Sequence, residues 1–249
     1  MKIAGIVPAR SGSKGIKNKN LIKIEGKTLV TRAAEECLRT GQLDYVVVSS
    51  DSDNILAVAP EETIRIKRPI QYALDTSPIE ETFHHALTVL QNKGIHPDML
   101  VWLQPNIPIR QEGIVDRVIG QLKNSSRASA AVTCMAMDPR VFWSKSIDSD
   151  GFITPMFSNI ENYRRQELVS PVLIDGSVVA FYVTNLDQKS DSVHSYLGDR
   201  VVPVCQKEAI YSLELDEERD LNVLHQYLTT KESRPEEVRK YFFVGDFNC

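Results

Sequence analysis

The chain has 249 residues, of which 42% are hydrophobic and 25% charged, and its formal net charge is −4. This length fits one large domain or one domain with an appendage, and the ordinary composition excludes disordered, collagen-like and low-complexity chains. A nucleic-acid-binding surface usually requires a basic excess, so the acidic balance argues against nucleic acid as a partner.

Neither the N-terminus nor the cysteines point to an export or membrane role. The apolar run after Met1 is too short for a signal peptide, and no apolar stretch is as long as a membrane span. The four cysteines lie far apart without a C-x-x-C pair, which suggests neither a zinc site nor a disulfide framework. Cys37 and Cys205 fall in apolar segments, and we expect them to be reduced core residues of a cytoplasmic protein.

Apolar runs and amphipathic segments alternate along the chain. Seven short runs rich in Val and Ile predict strands at residues 2–7, 44–50, 63–67, 98–104, 128–134, 177–183 and 200–205. Apolar residues at helical spacing predict helices around residues 30–38, 83–90, 115–122 and 221–228. Several strands are apolar on both faces, which is typical of parallel sheets. The pattern therefore predicts an α/β fold with a doubly wound, Rossmann-like, mostly parallel sheet.

Residues 137–170 interrupt this alternation with a polar, turn-rich stretch that contains no convincing buried strand. We interpret the stretch as an arm inserted in a single domain that covers residues 1–249. Its aromatic residues predict either a dimer contact or a small local core, and both remain open: Phe142, Trp143, Phe152 and Phe157.

The first predicted strand is followed by "ARSGSKGIKNKN" at residues 9–20, which contains four basic residues and no acid. Ligands of open α/β sheets bind beyond the carboxyl ends of the strands, where this segment lies. Glycines such as Gly12 and Gly15 let backbone N–H groups approach an anion, and Arg10, Lys14 and Lys19 add charge. The segment is neither a Walker A loop nor G-x-G-x-x-G. A solvated basic turn is the alternative, and phosphate binding is favoured over it.

Acidic residues recur near the C-terminal helix. Glu214 and Asp216 stand at i and i+2, which in a strand points both carboxylates to one face, where Mg²⁺ could bind between them. Alternatively, Asp216 caps a helix that begins at Glu217. Asp51, after the second strand, is best interpreted as a helix N-cap. A basic loop with an acidic pair predicts phosphoryl-type transfer from a nucleoside triphosphate.

The segment "IVPARSGSKGIKNKNL" resembles the N-terminal signature of the CMP-N-acylneuraminate cytidylyltransferases. Further similarities follow in order at "VVVSSDS", "RPIQYALDTSPIEE", "WLQPNIPIR", "RRQEL", "DGSV" and "LELDEERDL". CMP-legionaminate and CMP-pseudaminate synthetases resemble the same pattern. The resemblance implies a fold of the nucleotide-diphospho-sugar transferase type. It also implies that the hydroxyl of a 2-keto-3-deoxy sugar acid attacks the α-phosphorus of CTP and releases pyrophosphate.

The resemblance also assigns roles to residues of this chain. It implies a triphosphate loop that comprises Arg10, Ser11, Gly12, Ser13, Lys14, Lys19 and Asn20. It implies a cytidine-binding region with Arg68, Asp75, Thr76 and Ser77, and sugar contacts from Gln104, Arg165 and Gln166. The implied Mg²⁺ ligands are Glu214 and Asp216, and the implied catalytic residues are Arg10, Lys14, Lys19 and Asp216. The arm at residues 137–170 matches a dimerisation segment that can lean into the partner's site, so we expect a homodimer.

Three departures from the family pattern concern the sugar side and the metal. Asn106 and Ile107 replace Thr and Ser, the segment from Asp175 to Val179 replaces Asn-Gly-Ala-Ile-Tyr, and Glu214 replaces Asp. These changes keep two alternatives open. One is a cytidylyltransferase for another acid, Kdo-like or a phosphonate. The other is a catalytically silent nucleotide-binding homologue that acts as a partner subunit.

Overall fold

The structure, a computed structural model, describes residues 1–158, 161–187 and 194–233, and its centre is a seven-stranded sheet. In chain order the strands are β1 (Ile3–Pro8), β2 (Lys23–Ile24), β3 (Lys27–Thr28), β4 (Tyr45–Ser50), β5 (Ile64–Lys67), β6 (Met99–Trp102), β7 (Ala130–Ala136), β8 (Lys145–Ile147), β9 (Ile153–Pro155), β10 (Val172–Tyr182) and β11 (Val201–Cys205). The large sheet has the order β11-β7-β10-β6-β1-β4-β5, and each predicted strand is part of it.

Helices cover both faces of this sheet. They are α1 (Leu29–Arg39), α2 (Asp53–Ala57), α3 (Ile79–Gln91), α4 (Ile114–Asn124) and α5 (Glu218–Ser233). Apolar residues of α1, α2 and α4 form one buried cluster with the sheet, and α3 packs with Phe181 and Tyr196 in a second cluster. The four predicted helices are present, α2 is additional, and the prediction of a doubly wound, mostly parallel α/β fold is confirmed.

Strand β10 is the exception to the parallel arrangement, because it runs antiparallel to both β6 and β7. Its register shifts between Ile174 and Val179, which makes a bulge of the intervening residues 175–178. Gly176 in this bulge has φ of +66°, a backbone conformation that favours glycine. A residue with a Cβ atom would therefore be strained at position 176 of the bulge.

A third apolar cluster joins the N-terminal loop to the C-terminal helix. It contains Ile16 from the basic loop, Leu215 from the acidic segment, and Leu224 and Tyr227 from α5. Because Ile16 and Leu215 share one core, the basic and acidic segments are fixed close to each other by burial of apolar surface.

The arm forms a small hairpin in which β8 pairs antiparallel with β9. The rings of Phe142 and Phe157 lie 5.6 Å apart in an edge-on arrangement, as a local core would require. Phe152, in contrast, is 70% exposed. The aromatic residues thus divide between local packing and an open apolar surface. Residues 159–160 of the arm lie outside the described residues.

The cysteine expectation holds for one of the two residues. Cys37 is fully buried and free. Cys205 is disulfide-bonded, so the expectation that it is a reduced core residue is wrong. Within the described ranges, the helices include none that is both long and apolar enough to cross a membrane.

Candidate functional site

A cleft of about 710 Å³ opens at the carboxyl ends of the central strands. Its walls come from the segments that follow β1, β5 and β6 and from the segment before α5. This is the edge at which open α/β sheets bind ligands. The cleft is lined by ten of the residues predicted from sequence: Arg10, Ser13, Lys14, Lys19, Asn20, Arg68, Asp75, Ser77, Gln104 and Asp216.

The basic loop is attached to the neighbouring strand by Asp51. The carboxylate of Asp51 accepts a hydrogen bond from the Ser11 backbone N–H at 2.8 Å and a second from the Ser11 hydroxyl. The N-cap position of α2 is Ser52, so the interpretation of Asp51 as the cap of that helix is wrong. Asn20 holds the other side of the loop, since its amide donates to the Arg10 carbonyl at 2.9 Å. Ser11 and Asn20 therefore shape the loop through bonds within the protein.

Asp75 connects the region predicted to bind cytidine to the basic loop. Its carboxylate forms ion pairs with Arg10 and, at 3.3 Å, with Lys14. Ser77 donates its hydroxyl to the Gln71 carbonyl at 2.6 Å, which fixes the same turn. Thr76 is exposed and is not among the lining residues. Asp75 thus contacts two cations that are predicted to bind phosphate.

Glu214 and Asp216 point to one side of an extended segment. Leu215 between them is buried, and its N–H donates to the Asn106 carbonyl at 2.8 Å. The Asn106 amide nitrogen lies 3.3 Å from a Glu214 oxygen and 3.4 Å from an Asp216 oxygen. The expected shared face is present, but the segment is not a strand of the sheet, so that part of the expectation is wrong.

Opposite electrostatic environments act on the two carboxylates. Burial raises the pKa of Glu214, and the negative charge of Asp216 raises it further. Burial also acts to raise the pKa of Asp216, but the ammonium of Lys19, 2.5 Å away, lowers it below its ordinary value. A divalent cation between the two carboxylates would relieve their repulsion, so this donor set fits Mg²⁺, with oxygen ligands of the kind it prefers.

The helix-cap alternative for Asp216 is wrong. Helix α5 begins at Glu218. The carboxylate of Asp220 accepts hydrogen bonds from the backbone N–H groups of Asp216 at 2.9 Å and Glu217 at 2.7 Å. Asp216 therefore lies before the helix, and its side chain contacts Lys19 and Asn106 instead.

Gly15 brings the basic loop into backbone contact with the acidic segment. A Cβ atom at position 15 would lie 1.9 Å from the Asp216 carbonyl oxygen, far inside any real contact. Only glycine allows this approach. The contact places the loop that carries Lys14 directly beside the carboxylate pair.

Arg68 is a nearly buried cation in the cleft. It is only 4% exposed, and burial lowers its pKa. One guanidinium nitrogen donates to the Thr82 hydroxyl, whereas Nε finds no hydrogen-bond partner among the described residues. An apolar wall that sequence reasoning missed lines the cleft with it: Tyr72, Leu74, Ile79 and Trp102. Apolar side chains do not indicate a particular chemistry in a sequence. Only the positions of these residues, near Arg68 in the chain and at the end of β6, could have identified them as lining the cleft.

The model of the cytidylyltransferase family matches residues 4–226, which include the basic loop, the cleft and the acidic pair. The chain belongs to the cytidylyltransferase family. Three named proteins are similar to this cytidylyltransferase in sequence. CMP-N,N'-diacetyllegionaminic acid synthase of Legionella pneumophila is 26% identical over 220 residues, which cover 87% of this chain and 91% of the relative.

The other two similarities cover less of each protein. N-acylneuraminate cytidylyltransferase of Escherichia coli is 34% identical over 44% of this chain and 25% of its own length. Pseudaminic acid cytidylyltransferase of Campylobacter jejuni is 31% identical over 53% of this chain and 59% of its own.

Solved structures share the fold of this cytidylyltransferase. The structure of CMP:2-keto-3-deoxy-manno-octonic acid synthetase complexed with CTP aligns with a TM-score of 0.66 at 16% identity, and the alignment covers 93% of this chain and 100% of that one. 4-Diphosphocytidyl-2C-methyl-D-erythritol synthase of Anaerococcus prevotii aligns with a TM-score of 0.61 at 15% identity, with 92% and 96% covered. At these identities the likeness concerns the fold alone.

The residues of this cytidylyltransferase that are predicted to bind the sugar acid are only partly brought together. Gln104 lines the cleft, but Arg165 and Gln166 belong to a short turn in the arm and are not among the lining residues. The Nε of Arg165 lies 3.6 Å from a carboxylate oxygen of Asp138. Glu214, Ser11 and Gly12 are also not among the lining residues. The sugar-binding roles of Arg165 and Gln166 remain predictions.

Most departures from the family pattern do not face the cleft. Ile107 and Val179 are buried in the core, and Asp175 is 5% exposed. None of these three residues lines the cleft, so they do not bear on the sugar by contact as expected. Asn106, in contrast, lines the cleft and contacts both carboxylates. Asn106 is therefore the departure on the sugar side that lies in the cleft.

Proposed function

We propose that this cytidylyltransferase activates a 2-keto-3-deoxy sugar acid of the nonulosonic class with CTP, giving the CMP-sugar and pyrophosphate. One observation carries the proposal: Gly15 brings a loop whose Arg10, Lys14 and Lys19 line the cleft into backbone contact with Asp216, which lines the same cleft and lies two residues after Glu214. Relatives named for legionaminic, N-acylneuraminic and pseudaminic acids support the choice of substrate class.

Charge arrangement supports a triphosphate in this cleft. Arg10, Lys14 and Lys19 line it and would balance the charge of the phosphates. Arg10 and Lys14 would then leave their ion pairs with Asp75 and bind phosphate oxygens. The hydroxyl oxygen of the sugar acid attacks the α-phosphorus. The bond from that phosphorus to the bridging oxygen breaks, and its electron pair leaves with pyrophosphate. The carboxylate of Asp216, which lines the cleft, accepts the hydroxyl proton.

Mg²⁺ belongs to the proposal. Glu214 and Asp216 would hold it, and when bound it neutralises phosphate charge and polarises the phosphoryl group. Asn106 contacts both carboxylates, and Lys19 contacts Asp216, so these two residues orient the ligand pair. Gln104 at the end of β6 would contact the sugar acid.

The test incubates the protein with CTP and MgCl₂ and one acid at a time: N-acetylneuraminic, N,N'-diacetyllegionaminic, pseudaminic or 3-deoxy-manno-octulosonic acid. Released pyrophosphate is measured. We expect release with at least one nonulosonic acid and none without an acid. Release with 3-deoxy-manno-octulosonic acid alone would support the alternative substrate. Binding of CTP without release for any acid would support the silent homologue.

We infer further that the protein is a homodimer joined through the arm. The arm and the start of β10 expose large apolar side chains, among them Phe152, Ile153 and Leu173, which are 70%, 72% and 50% exposed. Apolar surface of this extent is typical of protein interfaces. Arg165 lies in the same arm, outside the cleft of its own chain, so we propose that it reaches the sugar acid in the cleft of the partner.

Complementation tests this arrangement. Arg165→Ala and Asp216→Ala chains with different tags are co-expressed, and mixed dimers are isolated by both tags. If Arg165 acts across the interface, each mixed dimer keeps one intact site and shows about half the activity of the wild-type dimer. Activity no higher than that of either parent variant would contradict a shared site. A monomer in analytical ultracentrifugation would contradict the dimer itself.

A further inference from the structure

Asp175 is a buried carboxylate that the proposed chemistry does not use. Four donors satisfy it. One oxygen accepts from the Thr133 hydroxyl at 2.5 Å and from the Ser177 N–H at 2.9 Å. The other accepts from the Ser212 hydroxyl at 2.6 Å and from the Gln206 amide at 3.2 Å. All four donors are uncharged, and the nearby Arg110 guanidinium adds an electrostatic attraction.

On one side, Asp175 fixes the bulge at residues 175–178. Thr133, which donates to Asp175, also accepts from the Val178 N–H at 3.0 Å and so replaces a lost ladder bond. Gly176 in this bulge packs on the Gln104 side chain, where a Cβ at position 176 would lie 2.2 Å from the amide nitrogen. The position of the bulge therefore limits the position of Gln104.

Arg110 strengthens this side of the network. Its guanidinium donates to the Ser177 carbonyl in the bulge at 3.1 Å and to the Ile107 carbonyl at 2.8 Å, and it also donates to the Gln104 carbonyl. The bulge and the loop that carries Gln104 and Asn106 are thus joined through one half-buried side chain.

On the other side, Asp175 fixes the segment that leads to the carboxylate pair. Ser212, which donates to Asp175, ends the turn Ala209–Ser212 and stands two residues before Glu214. Gln206 donates to Asp175 and also to the Tyr211 carbonyl at 2.9 Å, so it holds the same turn from its start. The placement of Glu214 and Asp216 therefore depends on the contacts of Asp175.

We propose that Asp175 is a positioning residue that sets Gln104 and the Glu214–Asp216 pair in one fixed relation. The sugar-binding and metal-binding sides of the cleft are thereby built on one buried carboxylate. This inference rests on the proposed function for the roles of Gln104 and of the pair. The isosteric change Asp175→Asn tests it, because it turns one acceptor oxygen into a donor that faces other donors.

Single-donor variants separate the two sides. Ser212→Ala removes a bond on the metal side. Thr133→Val removes the donor to Asp175 on the bulge side together with the acceptor for the Val178 N–H. Two quantities are measured for each variant: the affinity for Mn²⁺ alone, followed by electron paramagnetic resonance, and the KM for the accepted acid. A matched control is Ile119→Val in the core of α4, which lowers the melting temperature without touching the network.

We expect Asp175→Asn to weaken Mn²⁺ binding and to raise the KM by about threefold or more each. Ser212→Ala should affect Mn²⁺ affinity more, and Thr133→Val the KM more, while Ile119→Val changes neither. The proposal is overturned if Asp175→Asn lowers only the melting temperature. If Asp175→Asn does not fold, the same result for both single-donor variants overturns it. If the wild-type protein makes no pyrophosphate, the proposed function fails, and the Mn²⁺ affinities still decide the link from Asp175 to the carboxylate pair.

Discussion

Replacement of Gly15 by alanine gives a direct test of how the cleft is assembled. The added methyl group would lie 1.9 Å from the Asp216 carbonyl oxygen and 3.1 Å from its carbonyl carbon. Both are backbone atoms, so no side-chain rotation can relieve the overlap. The basic loop or the acidic segment must move by more than about 1 Å, and a displacement of that size in a catalytic site costs roughly a hundredfold in rate.

We therefore expect Gly15→Ala to lower kcat/KM by about a hundredfold, equivalent to about 2.7 kcal/mol of transition-state stabilisation. The assay is pyrophosphate release at several CTP concentrations. Gly120→Ala is the control, because a Cβ in that position of α4 meets nothing within 4 Å. The control should keep its activity and gain about 0.5–1 kcal/mol of stability from helix propensity. Activity of Gly15→Ala within threefold of wild type would refute the proposed contact.

Three other predictions concern charge. Lys14→Ala and Asp216→Ala should each lower turnover at least about a hundredfold, since each removes charge stabilisation. Lys17 is exposed in the same loop, and the control Lys17→Ala should keep its turnover. Equal rates for Lys14→Ala and wild type would remove Lys14 from the mechanism. Arg165→Ala should raise the KM for the sugar acid more than that for CTP in steady-state kinetics, and an equal effect on both would argue against carboxylate binding. Asp51→Asn should raise the KM for CTP about tenfold, because the Ser11 bonds lose their charge assistance; an unchanged KM would show that the loop keeps its shape without them.

Residue types and local spacing were enough to identify the basic loop and the acidic pair. Lys14 and Asp216 carry chemistry in their side chains, and their segments follow or precede elements with clear periodicity. The alternation of strands and helices likewise determined the fold class. The antiparallel direction of β10 was not predictable, because the apolar pattern of a strand is the same whether it runs parallel or antiparallel to its neighbours.

Residues that act through distant partners were missed or misinterpreted. Asp51 fits a local helix cap, but its partner Ser11 is 40 positions away. From the sequence, Asp175 is interpreted as a departure that affects sugar binding. In the structure its four hydrogen-bond donors come from two other segments and its own bulge. Trp102 reads as the end of a strand, although it also lines the cleft. Each role depends on tertiary contacts, which spacing within one segment does not encode.

The central claim is transfer of the cytidylyl group, with attack at the α-phosphorus. ³¹P nuclear magnetic resonance of a reaction that contains CTP, MgCl₂ and the accepted acid tests it most directly, because it distinguishes every phosphorus atom. We expect one new phosphodiester resonance and pyrophosphate to appear in equal amounts as CTP is consumed. Formation of CDP and a phosphorylated acid, or no change in CTP with any acid, would contradict it.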